Sequence, residues 1–151
     1  MWDKVRRQAF FEISELRKLV AQHAGFLAEA GTAEPDTVHR IAMGATLNSF
    51  YGGVENIFKR IAKGIDHKVP SGESWHRDLL MAMAQATADR PPVISQELME
   101  ELREFLSFRH IFRAGYVINL KWERMAHLAF ACEQTLDQFI AEIQSFFGGT
   151  P

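Results

Sequence analysis

The sequence predicts an all-α fold, an antiparallel four-helix bundle with one extra short helix. Apolar residues recur at the 3.6-residue period of a helix along most of the chain, and no segment alternates apolar and polar residues convincingly, as a half-buried strand would. The 151 residues, of which 47% are hydrophobic and 24% charged, suffice for one hydrophobic core. We therefore expect residues 1–151 to form a single helical domain.

The first two helices are expected to be long. One runs from about Asp3 to Ala30, where Gly31 can end it. The next runs from about Pro35 to Ile65, because proline suits a first helical turn. Gly52-Gly53 stands in the middle of this second helix, where glycine lowers helix stability, and indicates close packing or a bend.

A shorter third helix is expected between two irregular connections. Residues 66–73 are polar and contain proline and glycine, so they predict a loop. The helix follows from about Ser74 to Ala88. Arg90-Pro91-Pro92 then interrupts the helical pattern again.

The last two helices complete the predicted bundle. Ser95 can cap a fourth helix that runs through about Phe112, and Gly115 predicts a kink just beyond this helix. The last helix is expected from about Leu120 to Phe147. It carries the single cysteine, Cys132, in its apolar stripe, where a small buried core residue is the expected role.

The composition excludes several classes of protein. The net charge of -2 argues against a broadly basic nucleic-acid binder, so any RNA contact must use a local patch. One cysteine cannot form an internal disulfide or a cysteine-based metal cage. No run of residues approaches a membrane span, and the N-terminal residues lack the apolar stretch of a signal peptide, so we expect a cytoplasmic protein without a membrane partner.

The sequence offers little support for a metal site or for nucleotide hydrolysis. Glu73-Ser-Trp-His76 has the spacing of one carboxylate–histidine ligand pair, but a di-iron bundle needs two such pairs and two further glutamates. We expect no metal here and assign His76 the structural role of fixing the preceding loop against the bundle. The glycine-rich phosphate loops and the serine-hydrolase elbow are also missing from the sequence.

The richest cluster of reactive side chains lies in residues 108–116. Arg109, Arg113 and Tyr116 stand at i, i+4 and i+7, so a continuous helix would place them on one face. Guanidinium groups hold phosphates bidentately, and imidazole moves protons near neutral pH, so this combination suits a phosphodiester. The alternative is a solvated basic face beside a buried histidine. Three residues occupy the adjoining stripe: Arg103, His110 and Ala114.

Three ordered segments of the chain resemble the HEPN superfamily and, within it, the HepT-like ribonuclease toxins of bacterial toxin–antitoxin pairs. Arg109 and Tyr116 match the arginine and tyrosine of that family's extended Arg-x4-His-x-Tyr motif, and Ala114 stands at its histidine position. Arg103 and His110 match the looser Arg-x6-His form. The other two segments, 49–62 and 70–80, are similar to the family's second helix and to the loop and helix that follow in one HepT-like branch.

The resemblance implies a function and a set of partners. It implies a bundle of HEPN type and a metal-independent endoribonuclease, without a cofactor, in which the ribose 2′-hydroxyl attacks the adjacent phosphorus. It also implies a homodimer whose two motifs face one cleft. The implied antitoxin is a minimal nucleotidyltransferase that transfers AMP to the motif tyrosine, here Tyr116. A local basic patch on this net-acidic protein suits RNA, with Arg113, Lys121 and Arg124 as the RNA-binding residues beside the motif. The patch consists of Arg103, Arg109, Arg113, Lys121 and Arg124.

Ala114 at the histidine position has three explanations. The chain is a deliberately inactivated toxin, a naturally degenerate member, or a protein in which His110 has taken over the role. The intact flanking residues favour the first. Two other functions stay open, namely a non-catalytic helical module that binds a nucleotidyltransferase or its substrate, and a plain dimeric bundle with an interaction role.

Overall fold

A computed structural model describes residues 2–31 and 33–148 and contains helices without strands in that part of the chain. The prediction of an all-α bundle is therefore confirmed. A π-helical turn, Ala62–Asp66, extends the second helix, and a 3-10 turn, Val117–Asn119, joins the fourth to the fifth. The helices are α1 (Asp3–Ala30), α2 (Thr37–Ile61), α3 (Trp75–Met83), α4 (Gln96–Ala114) and α5 (Trp122–Phe146).

Helix α2 lies at the centre of the bundle and packs against the other four helices. Its apolar stripe is fully buried, as the helical period predicted. Each side chain of this size contributes about 1.5–3 kcal/mol when it is removed from water, so the stripe fixes α2 firmly in place. A functional group attached to α2 is consequently held by the core. The stripe consists of Met43, Leu47, Phe50, Val54, Ile57 and Ile61.

Helix α2 begins two residues later than predicted. The Asp36 carboxylate accepts a hydrogen bond of 2.8 Å from the backbone N–H of His39, which makes Asp36 the N-cap and leaves Pro35 outside the helix. At its other end α2 stops at Ile61, and the predicted continuation to Ile65 is wound as the π-helical turn. The predicted length of helical chain is thus nearly right, whereas its first residue and its last turn are wrong.

The third helix is shorter than predicted because a buried arginine holds the following residues in a loop. The Arg90 guanidinium donates hydrogen bonds of 2.7 and 2.9 Å to the two carboxylate oxygens of Asp66. It also donates to the backbone carbonyls of Ala82 and Gln85. These contacts satisfy a buried charge only when the chain turns back after α3, so the helix ends at Met83 rather than near Ala88.

The fourth helix begins as predicted. Ser95 is its N-cap, and the Ser95 hydroxyl accepts a 3.1 Å hydrogen bond from the backbone N–H of Leu98. The helix continues to Ala114, and Gly115 then adopts an extended conformation, so the chain leaves the helix there. The fifth helix begins at Trp122, two residues beyond the predicted start.

Two polar residues are buried where α1 and α5 meet the core. The side chain of His23 lies 2.7 Å, through Nε2, from the carbonyl oxygen of Ala129, and burial lowers the pKa of His23. Cys132 is fully buried, as predicted, and burial raises the pKa of its thiol to about 12. Within the described residues, the helices are too short or too polar to cross a membrane.

Candidate functional site

The motif arginine is held against the central helix at a glycine. The Arg109 side chain crosses from α4 to α2, where a Cβ atom built on Gly52 would lie only 2.6 Å from a guanidinium nitrogen of Arg109. A larger side chain at position 52 would therefore displace the guanidinium. The predicted close packing at Gly52-Gly53 is confirmed, because a Cβ at Gly53 would likewise meet Leu16 of α1 at 2.6 Å.

Arg109 opens onto a cavity of about 410 Å³, which we call the motif cleft. Two arginines and two histidines therefore line the same small space, together with the alanine at the position where the motif has histidine, and Arg109 also lines a neighbouring cavity of about 470 Å³ with Gly52. This set matches the chemistry of a phosphodiester, because guanidinium binds the phosphate and imidazole carries protons. The cleft is lined by His76, Leu106, Arg109, His110, Arg113 and Ala114.

His76 reaches the motif cleft from α3 and is held there on two sides. Its Nδ1 lies 2.7 Å from a carboxylate oxygen of Glu55, a residue of α2 that is only 2% exposed. The Trp75 ring stacks on the imidazole with centroids 3.6 Å apart, and the Lys59 ammonium lies 4.8 Å from the centroid of the Trp75 ring. The predicted structural role of His76 agrees with this geometry, since the Glu55 contact ties α3 to α2.

The imidazoles of His76 and His110 meet across the motif cleft. Their ring centroids are 5.7 Å apart and the rings are nearly perpendicular. His110 is exposed rather than buried, so the alternative interpretation is wrong about a buried histidine, whereas the exposed Arg113 agrees with its solvated basic face. Arg103, its partner in the looser motif, is an exposed residue that pairs with Glu100 at 3.3 Å and does not line the cleft.

Tyr116 lies apart from the two arginines with which it was predicted to share a helical face. That prediction is wrong because α4 ends at Ala114 and Tyr116 has an extended backbone. The side chain is 82% exposed and borders a second cavity, of about 340 Å³, which we call the tyrosine cavity. This cavity is lined by Phe108, Ile111, Phe112, Gly115, Tyr116, Asn119, Leu120, Lys121 and Arg124.

The predicted basic patch is accordingly divided between two cavities. Arg109 and Arg113 line the motif cleft, whereas Lys121 and Arg124 line the tyrosine cavity. Both cavities are lined by residues of the last turns of α4. The patch is therefore an extended basic surface rather than a single phosphate pocket.

A buried tyrosine of α2 interacts electrostatically with both Glu55 and Arg109. Tyr51 of α2 is fully buried, and its hydroxyl lacks a hydrogen-bond partner among the described residues. Burial raises the pKa of Tyr51 well above its ordinary value, the Glu55 carboxylate raises it further, and the Arg109 guanidinium opposes both effects. The phenol of Tyr51 therefore stays neutral at physiological pH.

Metal ligands do not assemble in the described part of the chain. No three side chains among its histidines, cysteines, aspartates and glutamates come together in a way that would hold an ion. Glu73 is an exposed residue of the loop before α3, and the His76 of the same Glu-x-x-His spacing is engaged by Glu55.

A comparison of the sequence with family models identifies the family of the chain. Residues 42–149 match the model of the HepT-like protein family, a range that runs from α2 through α5 and covers well over half of the chain. The chain belongs to the HepT-like family. A search of curated proteins and one of solved structures gave no significant match. The matched range contains both cavities, so the site described above lies within the HepT-like part of the chain, in a family whose members are generally nucleases of HEPN type.

Sequence reasoning about the HepT-like protein missed Glu55 entirely and gave His76 only a structural role. Glu55 gave no signal because it is one of several charged residues on α2, and only the packing of α3 against α2 shows that it is buried. His76 is separated from Glu55 by 21 residues, so no local spacing connects them. The only sequence signal for a functional His76 was its place, directly after Trp75, in the segment that resembles the family.

Proposed function

We propose that this HepT-like protein is a metal-independent endoribonuclease and the toxin of a toxin–antitoxin pair. The observation that carries the proposal is the motif cleft itself, where Arg109, whose guanidinium is packed against Gly52, lies with a second arginine and two histidines. Membership of the HepT-like family supports the same function. The substrate is single-stranded RNA, whose phosphate enters the motif cleft.

The cleavage uses the RNA's own hydroxyl as nucleophile. The 2′-oxygen attacks the adjacent phosphorus, the bond from phosphorus to the 5′-oxygen breaks, and a 2′,3′-cyclic phosphate and a 5′-hydroxyl are left. Arg109 stabilises the charge that develops on the phosphate oxygens, and Arg113 assists from the next turn of α4. An imidazole at the histidine position of the motif would carry the proton.

The alanine at position 114 lowers the activity of the chain. Its methyl group faces the motif cleft at the place where the family motif has imidazole, and it neither accepts nor donates a proton. Well-placed acid–base catalysis contributes about 100-fold to 10,000-fold to a rate, so we expect the chain to cleave RNA slowly rather than at the full rate of the family.

A homodimer would enclose the RNA. Exposed apolar side chains cluster at the junction of α4 with α5 beside the tyrosine cavity, where Ile118 is 67% exposed and Ile111 52%. Pairing of two such surfaces about a two-fold axis would bury them and bring two motif clefts toward one strand. Lys121 and Arg124 would then contact the RNA backbone beside the active phosphate.

The proposed antitoxin is a minimal nucleotidyltransferase that acts in the cytoplasm. It would transfer AMP to the phenol of Tyr116, which is accessible because the side chain is 82% exposed. Lys121 and Arg124 lie beside this tyrosine and would orient the phosphate of the incoming nucleotide. The added AMP would bring negative charge and bulk to the surface that RNA must approach.

The decisive experiment compares the chain with its Ala114→His variant. Both proteins are incubated with a fluorescently labelled mixed-sequence RNA in the presence of EDTA, and the products are identified by mass spectrometry. We expect the variant to cleave about 100-fold faster or more, and both proteins to leave 2′,3′-cyclic phosphates. Arg109→Ala in the Ala114→His background serves as the inactive control.

The experiment also tests the non-catalytic alternative. Exposure of Tyr116 favours a module that is recognised and modified by a nucleotidyltransferase without cleaving RNA itself. Absence of cleavage by a folded Ala114→His protein, with Tyr116 still modified by the partner, would support that alternative and refute the ribonuclease.

A further inference from the structure

The contact of His76 with Glu55 determines which nitrogen of the neutral imidazole can accept a proton. Its Nδ1 lies 2.7 Å from the carboxylate of Glu55, and a carboxylate can only accept a hydrogen bond. The neutral imidazole therefore carries its proton on Nδ1 and donates it to Glu55. Its Nε2 is left with a free lone pair, on a residue that lines the motif cleft.

Glu55 is fixed more firmly than a surface carboxylate. It is 2% exposed, and it belongs to the core helix α2, whose apolar stripe is fully buried. A carboxylate buried to this degree needs a partner, and His76 is that partner. Nucleophilic enzymes use the same order of groups, in which a buried carboxylate fixes the tautomer and the direction of an imidazole base.

We infer that His76 is the general base of this chain and that His110 is its general acid. The inference rests on the proposed ribonuclease function and names the residues that move protons when position 114 is alanine. His76 of α3 and His110 of α4 both line the motif cleft, with ring centroids 5.7 Å apart. Such a separation lets one imidazole reach the 2′-oxygen while the other reaches the 5′-oxygen of the same phosphate.

The proton balance of the step is complete without another reactant. His76 Nε2 takes the proton of the 2′-hydroxyl as the bond from the 2′-oxygen to phosphorus forms. The bond from phosphorus to the 5′-oxygen breaks, and the 5′-oxygen takes a proton from the imidazolium of His110. Arg109 and Arg113 hold the phosphate throughout. Exchange with water then deprotonates His76 and reprotonates His110.

The first test replaces His76 by glutamine in the chain as it stands. His76→Gln keeps a donor for the Glu55 carboxylate but cannot accept a proton at neutral pH, so the fold is preserved while the base is lost. We expect cleavage of the labelled RNA to fall about 100-fold. His127→Gln, an exposed histidine of α5 outside the motif cleft, is the matched control and leaves the rate unchanged.

The same substitution in the Ala114→His background separates this inference from the proposed function. An imidazole at 114 supplies a second base, so His76→Gln should lower the rate there less than about tenfold, and the two effects should not add. Cleavage by Ala114→His with none by the parent chain would overturn the role of His76 and leave the ribonuclease standing. Absence of cleavage by both proteins would refute the ribonuclease, and the role of His76 with it.

A modified substrate separates the base from the acid. An RNA with sulfur in place of the bridging 5′-oxygen has a leaving group that needs no proton. It should restore most of the rate to His110→Ala and none to His76→Gln. Free imidazole should partly restore the rate of His76→Ala, whereas a purely structural role of His76 would give no such recovery. Rescue of His76→Gln by the sulfur substrate, or no rescue of His110→Ala, would overturn the assignment of the two roles.

Discussion

Replacing Gly52 by alanine separates the position of the Arg109 guanidinium from the stability of the fold. The new Cβ atom would lie 2.6 Å from a guanidinium nitrogen, and ordinary contacts begin at 3.4 Å, so the guanidinium must move by 0.8 Å (3.4 minus 2.6) or more. The obstacle is the far end of a flexible side chain, which can swing away at little cost. Alanine also favours a helix interior over glycine by about 1 kcal/mol.

The expected result is a protein of equal or higher stability with a weaker active site. A displacement of about 1 Å in a positioning group can cost about 100-fold in rate, so we expect a loss approaching that size for Gly52→Ala in the Ala114→His background. Inorganic phosphate should also bind more weakly, because the guanidinium is displaced from its position against Gly52. Thermal unfolding should show no decrease in Tm.

Two glycines of the same chain provide matched controls. A Cβ at Gly25 on α1 would meet nothing within 4 Å, so Gly25→Ala should raise Tm and leave cleavage unchanged. A Cβ at Gly53 would meet Leu16 in the core at 2.6 Å, so Gly53→Ala should lower Tm while the rate per folded molecule is kept. A Gly52→Ala protein that cleaves RNA and binds phosphate like its parent would refute the role given to the Arg109 position.

Four further predictions concern the site, the dimer and the core. In the Ala114→His background, Arg109→Ala should lower the rate of RNA cleavage about 100-fold or more, whereas Arg103→Ala should not. Equal rates with and without Arg109→Ala would favour Arg103 and His110 as the catalytic pair. Light scattering should show a dimer that Ile118→Glu converts to a monomer, and a parent that is monomeric at micromolar concentration, with and without RNA, would contradict the dimer. Incubation with the antitoxin and ATP should add AMP to Tyr116 but not to Tyr116→Phe, by peptide mass spectrometry; AMP on another residue would refute the acceptor. Burial lowers the pKa of His23, so the contribution of this histidine to stability is complete above its unfolded pKa of about 6.5. That contribution is lost as the pH falls below 6.5, by at most about 1.4 kcal/mol per pH unit. His23→Gln should therefore flatten the dependence of Tm on pH between 7.5 and 5, and an unchanged slope would refute this.

The helices could be predicted from the sequence because their signals are local. The apolar stripe of α2 and the serine cap of α4 depend on residues within one or two turns, and both agree with the structure. The end of α3 depends on the pairing of Arg90 with Asp66, 24 residues earlier in the chain. A long-range contact of this kind leaves no periodic pattern, so the prediction of a helix to Ala88 failed.

In the candidate site, too, the residues on one helix could be predicted and those brought together by long-range contacts could not. Arg109, His110 and Arg113 were predicted together because they share one helix, and they do line one cleft. Tyr116 was placed with them by extending the helical period through Gly115, but the glycine ends the helix and turns the chain away. Glu55 joins the site through the contact between α2 and α3, which the spacing of residues along the chain does not encode.

The separation of Tyr116 from Arg109 determines how modification of this tyrosine would silence the protein. An AMP group on Tyr116 would place its phosphate beside Lys121 and Arg124, in the tyrosine cavity, and would leave Arg109 and Arg113 unoccupied in the motif cleft. Modification should therefore block a long RNA by charge and bulk at the rim while inorganic phosphate still binds in the cleft. Titration calorimetry of the modified protein with a twenty-nucleotide RNA and with phosphate distinguishes the two sites. Loss of both interactions on modification would contradict the separation and would mean that the tyrosine reaches the catalytic arginine in solution.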